Sequence, residues 1–216
     1  MTIKHHPDDS MLVAFTAGTL DLGQHAAIAT HLVSCPQCRR LTRAMERVGG
    51  SMLTNLPPAP ISSDALARVE SRLAEPGEAA MVESPPTMSA TDVPGLPKFI
   101  RSYPIGEWQW VAPRVHLRRI ALPEQSSTRV FLLRSGPGTK MLQHSHTGIE
   151  LTCVLSGAFK HDGGYFGPGD FDLGDETVDH RPMVEEGVDC ICLVAMQGDL
   201  RLNGLLGRMM QPFVRL

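Results

Sequence analysis

The chain has no long apolar run and no marked excess of either charge. No segment approaches the roughly 18 apolar residues of a membrane span, and the polar start, MTIKHHPDDS, lacks the basic and apolar regions of a secretory signal. A net charge of −3 does not indicate a nucleic-acid partner. The cysteines number five, whereas a secreted disulfide scaffold uses an even number. We therefore expect a protein of the reducing cytoplasm that contacts neither membrane nor nucleic acid directly.

The pattern of the 216 residues changes twice along the chain. Residues 1–74 place apolar residues at helical spacing and predict a small domain of four helices, the third of which should stop at Gly49 and Gly50. Residues 75–97 are rich in Pro, Gly, Ser, Thr and Ala, which is typical of a flexible linker. Residues 98–216 predict an antiparallel β-barrel or sandwich, with strands at VHLRRIAL, TRVFLLRS, IELTCVLSG, AFKHD, DFDLG and DCICLVAM. The expected fold class is α + β in two domains.

The stretch HLVSCPQC places a histidine and two cysteines near a helix junction. His31 and Cys35 are four residues apart, so a continuing helix would carry them on one face, and Cys38 lies at the start of the next helix, where the dipole favours thiolate. Three such ligands favour zinc, which takes a tetrahedral set of four. The fourth ligand is His5 or His6; His6 lies nearer the first helix, but spacing alone does not separate the two.

Two other interpretations of this C-x-x-C are less favoured. If the two cysteines were merely buried thiols beside an incidental histidine, this small helical region would lack the cross-link or bound metal that domains of its size need for stability. A thioredoxin-like dithiol requires a surrounding βαβ pattern, and the sequence has none here.

The His-x3-Cys-x2-Cys spacing across a helix junction resembles the zinc-binding anti-sigma domain. The resemblance covers residues 1–74 and implies a helical unit that holds a group 4 (extracytoplasmic-function) sigma factor inactive.

A second group of metal-ligand types lies in GTKMLQHSHTGIELTCVLSG. On a strand, His144 and His146 point the same way because side chains alternate with a period of two. Glu150 follows after a turn at Gly148 and would reach the same point from the next strand. Two imidazoles and one carboxylate form a set able to bind Zn, Fe, Mn or Ni.

This stretch is similar to the first motif of the cupin family at every fixed position, from Gly138 to Gly157. The second cupin motif ends in another histidine ligand, and here a segment that begins at Gly169 reaches His180 at the expected spacing. The implied ligands are His144, His146, Glu150 and His180.

The second motif departs from the cupin pattern at several positions. Asp175 stands where proline is usual, Thr177 where glycine is usual, and Val184 where asparagine closes the motif. We therefore expect the turn before His180 to differ from that of the family, and His161 is the reserve candidate for this ligand.

Together the two motifs resemble the ChrR-type anti-sigma factors, which are tied to singlet-oxygen and related oxidative stress responses. The resemblance also includes the opening HHP, LTCVLSGAF, DCICLVA and the ending QPFVRL. It favours His6 as the fourth ligand of the first site, and it implies zinc in the cupin. It further implies that the helical domain silences a sigma factor while the cupin senses an oxidative signal and triggers release.

The residues that would carry this mechanism are apolar and sulfur-bearing. The helical stripes include Leu12, Phe15, Leu32, Leu66 and Val69, and each of these serves either the internal core or the sigma-factor surface. The oxidant's targets would be Met141, the metal-bound histidines or the strand thiols Cys153, Cys190 and Cys192, although buried strand thiols are usually inert. Oxidation of Cys35 and Cys38 in the helical domain is a second candidate for the switch, after modification in the cupin.

An enzyme is the competing class of function. Three histidines and one glutamate also form the centre of cupin dioxygenases and isomerases, and the helical domain would then only recruit the enzyme. We expect a cavity lined by Phe131, Leu133 and Phe171 without a general base beside the metal, which argues for a regulator. Direct DNA binding through CRRLTRAMER is weaker, because the chain is nearly neutral.

Overall fold

A computed structural model of the chain describes residues 2–74, 92–123 and 126–202. Most of the predicted linker, residues 75–91, lies outside the described residues, as does the ending QPFVRL. The helices are α1 (Asp9–Thr16), α2 (Leu22–Ser34), α3 (Pro36–Thr54) and α4 (Ala65–Ala74), with a short 3-10 helix at Ile100–Ser102. Among the described helices, none is both long and apolar enough to cross a bilayer.

The helix ends follow from local side chains. Asp21 caps α2 by accepting a hydrogen bond from the Gly23 N–H at 2.9 Å. Pro36 occupies the first position of α3, where its missing N–H leaves nothing unpaired. The predicted stop at Gly49 and Gly50 is wrong, because α3 continues to Thr54. Neither glycine adopts a positive φ, and glycine inside a helix costs only about 1 kcal/mol relative to alanine.

All six predicted strands are confirmed, and the described residues form five further short strands. The strands of the described residues are β1 (Gln109–Ala112), β2 (Val115–Ile120), β3 (Arg129–Ser135), β4 (His144–His146), β5 (Glu150–Ser156), β6 (Phe159–His161), β7 (Gly164–Phe166), β8 (Phe171–Gly174), β9 (Met183–Val184), β10 (Cys190–Met196) and β11 (Leu200–Leu202).

The strands form three antiparallel sheets, in the orders β1-β2-β3-β10-β5-β8, β7-β6-β9 and β11-β4. One buried cluster joins residues of all three sheets, among them Leu117, Phe159 and Leu200. Four helices followed by a domain of antiparallel sheets confirm the predicted fold class.

A second buried cluster joins the helices to the outer face of the six-stranded sheet. It contains Leu12 of α1 and Ile28 of α2 together with Leu132 and Leu193 of the sheet. The neighbouring residue Phe131 belongs to the interior cluster instead, as the alternation of a strand requires. The sheet of the same chain therefore covers the apolar face of α2.

We predict that Ile28→Ala destabilises the whole chain, because Ile28 is fully buried between α2 and the sheet. The expected loss in the free energy of unfolding is about 2–5 kcal/mol, measured by chemical denaturation. Val33→Ala on the same helix is the control, since Val33 is 56% exposed, and it should change the stability little. Equal effects of the two changes would contradict the shared core.

Candidate metal centres

Four side chains from three segments converge at what we term the first centre: His6, His31, Cys35 and Cys38. His6 precedes α1, His31 lies in the last turn of α2, and the two cysteines begin α3. One ligand atom from each of the four lies within 4.8 Å of the others. The His6 Nδ1 atom is 3.4 Å from the Sγ of each cysteine, and His31 Nε2 is 3.3 Å from Cys38 Sγ.

The structure distinguishes His6 from His5, which spacing alone left open. The His5 ring turns away from the first centre and stacks on Phe166, with 4.1 Å between ring centroids. His6 alone of the two faces the cysteines.

The surroundings of the first centre prepare His31 to act as a ligand. Its Nδ1–H donates to the Gly169 carbonyl at 2.8 Å, which leaves the lone pair of Nε2 facing Cys38. Burial lowers the pKa of His31 to about 4, so the imidazole is neutral at pH 7. Burial, together with Cys35, raises the pKa of Cys38 to about 12. A thiol of this kind loses its proton when it binds a metal, so metal binding here should release protons.

Three histidines converge at what we term the second centre: His144, His146 and His180. His144 and His146 lie on β4 and point the same way. The backbone of His180 pairs with that of His144 in an isolated antiparallel β-bridge, which places the His180 ring beside them. The Nε2 atoms of His144 and His180 are 3.0 Å apart. The His144 Nδ1–H donates to the Leu142 carbonyl at 2.8 Å, so the Nε2 lone pair faces His180.

Buried ring nitrogen atoms at the second centre fit a metal. Among the described residues, the Nδ1 of His180 is buried without a hydrogen-bond partner, which is rare for polar atoms in the interior. The Nε2 of His146 is buried as well, and it faces the Glu150 carboxylate. Burial lowers the pKa of His180 to about 4 and also lowers the pKa of His144, which keeps both rings in the neutral, metal-binding form.

Glu150 stands beside the three histidines rather than among them. Its Oε2 is 3.3 Å from His146 Nε2, and its Oε1 accepts a hydrogen bond from the Thr152 hydroxyl. Burial opposes ionisation, but the histidines, His146 first, lower the pKa of Glu150 overall. Burial likewise lowers the pKa of His146, but Glu150 raises it overall. The carboxylate is thus ionised and contacts His146, one of the three histidines, while the group of possible ligand atoms within 4.8 Å of one another contains the histidines alone.

The reserve candidate, His161, has both ring nitrogens engaged. Its Nδ1 accepts the Gly163 N–H at 3.0 Å, so in the neutral ring Nε2 carries the proton and donates to Asp172 at 2.9 Å. His161 and Asp172 lie near His180 and could geometrically share an ion with it. The hydrogen-bond pattern favours His161 as a support of Asp172 instead.

A mainly apolar cavity of about 160 Å³ adjoins the second centre. Its walls include Phe131 and Leu133, as predicted, and the thiols of Cys190 and Cys192, whose sulfur atoms are 3.7 Å apart. The prediction that Phe171 also lines this cavity is wrong. Phe171 faces the helices, with its ring centroid 5.7 Å from that of His31, because alternation along β8 turns it away from the interior.

Sequence reasoning missed two residues beside the first centre, Gly169 and Asp170. The Gly169 carbonyl binds His31, which lies 138 positions earlier in the chain, and the Asp170 carboxylate binds the backbone of Lys4 and His5. No local pattern signals contacts of such long range.

The chain thus combines a helical module, carrying a His/Cys centre, with a cupin-like domain that carries a histidine centre. The family model of the ChrR Cupin-like domain matches residues 104–198. The chain is 35% identical over 219 residues, covering all of both chains, to the anti-sigma-E factor ChrR of Cereibacter sphaeroides. It also matches the crystal structure of Rhodobacter sphaeroides SigE in complex with the anti-sigma ChrR, at 34% identity and a TM-score of 0.73, over 91% of this chain and 100% of that one. The chain belongs to the ChrR family.

We predict that the purified protein binds two metal ions per chain. The double variant Cys35→Ser/Cys38→Ser should keep one ion and His144→Ala/His146→Ala should keep the other, because the two donor sets share no residue. Elemental analysis of the dialysed proteins measures the content. The control is His161→Ala, which should retain both ions. Loss of one ion in this variant would show that the second ion is bound by His161, Asp172 and His180 instead.

Proposed function

We propose that this chain is an anti-sigma factor of the cytoplasm that binds and inhibits an extracytoplasmic-function sigma factor. The observation that carries the proposal is the full-length similarity to ChrR, a protein crystallised in complex with SigE. The first centre holds zinc through His6, His31, Cys35 and Cys38. The second centre holds a metal, zinc by analogy with the family, through His144, His146, Glu150 and His180.

The outer helices offer an apolar surface for the partner. None of the residues of α4 is buried, and Leu66, Val69 and Leu73 are 70%, 54% and 80% exposed. They follow one another at helical spacing, so they form one apolar stripe. The end of α3 adds Met52 and Leu53, which are 69% and 68% exposed. Exposed apolar surface of this extent marks an interaction site, and a helix laid into a groove of the partner is its usual form.

The other predicted stripe residues serve the chain's own core. Leu12 and Leu32 are buried in the cluster between the helices and the sheet, and Phe15 packs against it. This division supports α4 and the end of α3, rather than α1 and α2, as the sigma-factor surface.

Zinc at the first centre would fix the geometry of that surface. The four ligands tie the N-terminal segment, the end of α2 and the start of α3 to one point. A structural zinc site stabilises a small domain because the site does not exist in the unfolded chain. The orientation of α3, which carries Met52 and Leu53, depends on this point.

The cupin domain would sense the oxidative signal. Groups that an oxidant can modify line the cavity beside the second centre, namely Met141, Cys190, Cys192 and the histidines. Modification there would disturb the metal and the sheet, and the sheet carries α2. Release of the sigma factor follows when the helical module loses its arrangement.

Two other functions have less support. A metal-dependent dioxygenase would suit a histidine-rich cupin centre, but the chain's family relationship is to a regulator over its full length. Direct DNA binding through α3 is not needed to account for Arg39, because this arginine caps the end of α2 by donating to the carbonyls of Leu32 and Val33.

We predict that Leu66→Asp weakens binding to the sigma factor at least tenfold, because it places a charge in the apolar stripe of α4. Full-length protein with metal bound captures the sigma factor from native cytoplasm, and titration of the purified pair measures the affinity. Ser71→Asp is the matched control, because it adds the same charge to the opposite side of α4 at an exposed position. Capture of no sigma factor by the folded wild-type chain would refute the proposed function.

We predict that singlet oxygen, generated by a photosensitiser and light, releases the sigma factor from the wild-type complex. The variant His144→Ala/His146→Ala should still bind the sigma factor but release it several times more slowly, because it lacks two of the side chains that the oxidant would modify. Release is followed by size-exclusion chromatography, with illumination in the absence of sensitiser as the control. Equal release rates from both complexes would show that the signal is sensed elsewhere.

A further inference from the structure

We propose that the cupin turn, residues 167–171, positions two of the four ligands of the first centre, with Asp170 as the positioning residue. The helical centre is then completed by the cupin domain, and metal binding there is coupled to the state of the cupin. This inference rests on the proposed metal site of the helical module, and it is independent of the sigma factor.

The first ligand so positioned is His6. The backbone N–H groups of Lys4 and His5 donate to Asp170 Oδ1 at 2.7 and 2.9 Å, and the Phe171 N–H donates to the His5 carbonyl at 3.1 Å. These three hydrogen bonds hold the residues immediately before His6 against the cupin turn. The direction in which His6 projects is therefore set by the cupin and not by the helices alone.

The Asp170 carboxylate organises the turn and the N-terminal segment at once. It is 95% buried, since only 5% of the residue is exposed, and its second oxygen, Oδ2, accepts the Gly167 N–H at 2.8 Å. Three backbone N–H groups thus converge on one carboxylate, and hydrogen bonds to an ionised acceptor are stronger than neutral ones. Loss of the charge would weaken all three bonds together.

The second ligand positioned by the turn is His31, through the bond from its Nδ1–H to the Gly169 carbonyl. Such a bond to the second nitrogen fixes the orientation of a metal-binding histidine. Gly169 has a φ of +91°, and a Cβ there would lie 2.7 Å from the Ile3 side chain and 3.3 Å from that of Ser34. The N-terminal segment and the end of α2 therefore both pack closely against this glycine, and a larger residue would push them away.

Strand β8 joins the two centres physically. It begins at Phe171, which binds His5, and ends at Gly174, which pairs with Glu150 on β5. A Cβ at Gly174 would lie 2.9 Å from the His146 ring. Only the four residues of β8 therefore separate the second centre from the cupin turn, so a shift of β8 at the second centre would also move the turn. Coupling between binding sites is reciprocal, so a metal at either centre changes the affinity of the other.

The test is a cobalt(II) titration of the full-length protein. Only the first centre contains thiolates, so the thiolate-to-cobalt charge-transfer absorption reports that centre alone. Asp170→Asn should weaken cobalt binding about tenfold or more, the range seen when outer partners of metal ligands are lost. Asp162→Asn, at an exposed carboxylate of the neighbouring loop, is the matched control and should leave the affinity unchanged. Equal cobalt affinity of folded Asp170→Asn and wild type would overturn the proposal.

A second measurement does not depend on the folding of Asp170→Asn. In the variant His144→Ala/His146→Ala, the second centre loses two of its histidines, and cobalt is titrated to the first centre, whose thiolate-to-cobalt absorption reports its occupation. Its occupation should slow amide hydrogen exchange at His5 and Phe171 at least severalfold, because both N–H groups bridge the N-terminal segment and the cupin turn. Unchanged exchange at these two amides would equally refute the coupling. Neither readout involves the sigma factor, so failure of the proposed function would leave both results intact.

Discussion

The packing of α2 on the six-stranded sheet is the contact on which the rest of the structure depends. Ala27 and Ile28 are fully buried in it, which places the end of α2 beside the turn that precedes β8. That placement brings His31 to the Gly169 carbonyl and so orients a ligand of the first centre. Without the sheet, α2 would expose its apolar face and His31 would lose the partner that fixes its ring.

The two centres differ in the side chains that they bring together. The first combines two cysteine sulfur atoms with two imidazoles at the meeting point of three chain segments, which is a donor set typical of structural zinc sites. The second gathers three histidines beside a mainly apolar cavity, and imidazole nitrogens suit zinc, copper, iron and nickel. The proposal that the cupin half receives a signal builds on this difference between the centres.

Local patterns predicted much of this protein because the responsible forces act over a few residues. Alternation along strands identified six strands and placed His144 and His146 on one face. The spacing of His31, Cys35 and Cys38 across a helix junction predicted their convergence. Local pattern was misleading at Gly49 and Gly50, where intrinsic preference is too weak to end α3.

Tertiary structure decided what depends on contacts between distant residues. His5 and His6 are neighbours with the same side chain, and it is the fold, in which the N-terminal segment is bonded to Asp170, that places one ring at the cysteines and the other on Phe166. Phe171 faces His31 because the helices lie on that side of the sheet. The sequence by itself determined six of the described strands and the ligand types, since these follow from periodicity and side-chain chemistry. The joining of the two halves at Gly169 and Asp170 required the fold, because hydrogen bonds between residues far apart in the chain leave no periodic trace.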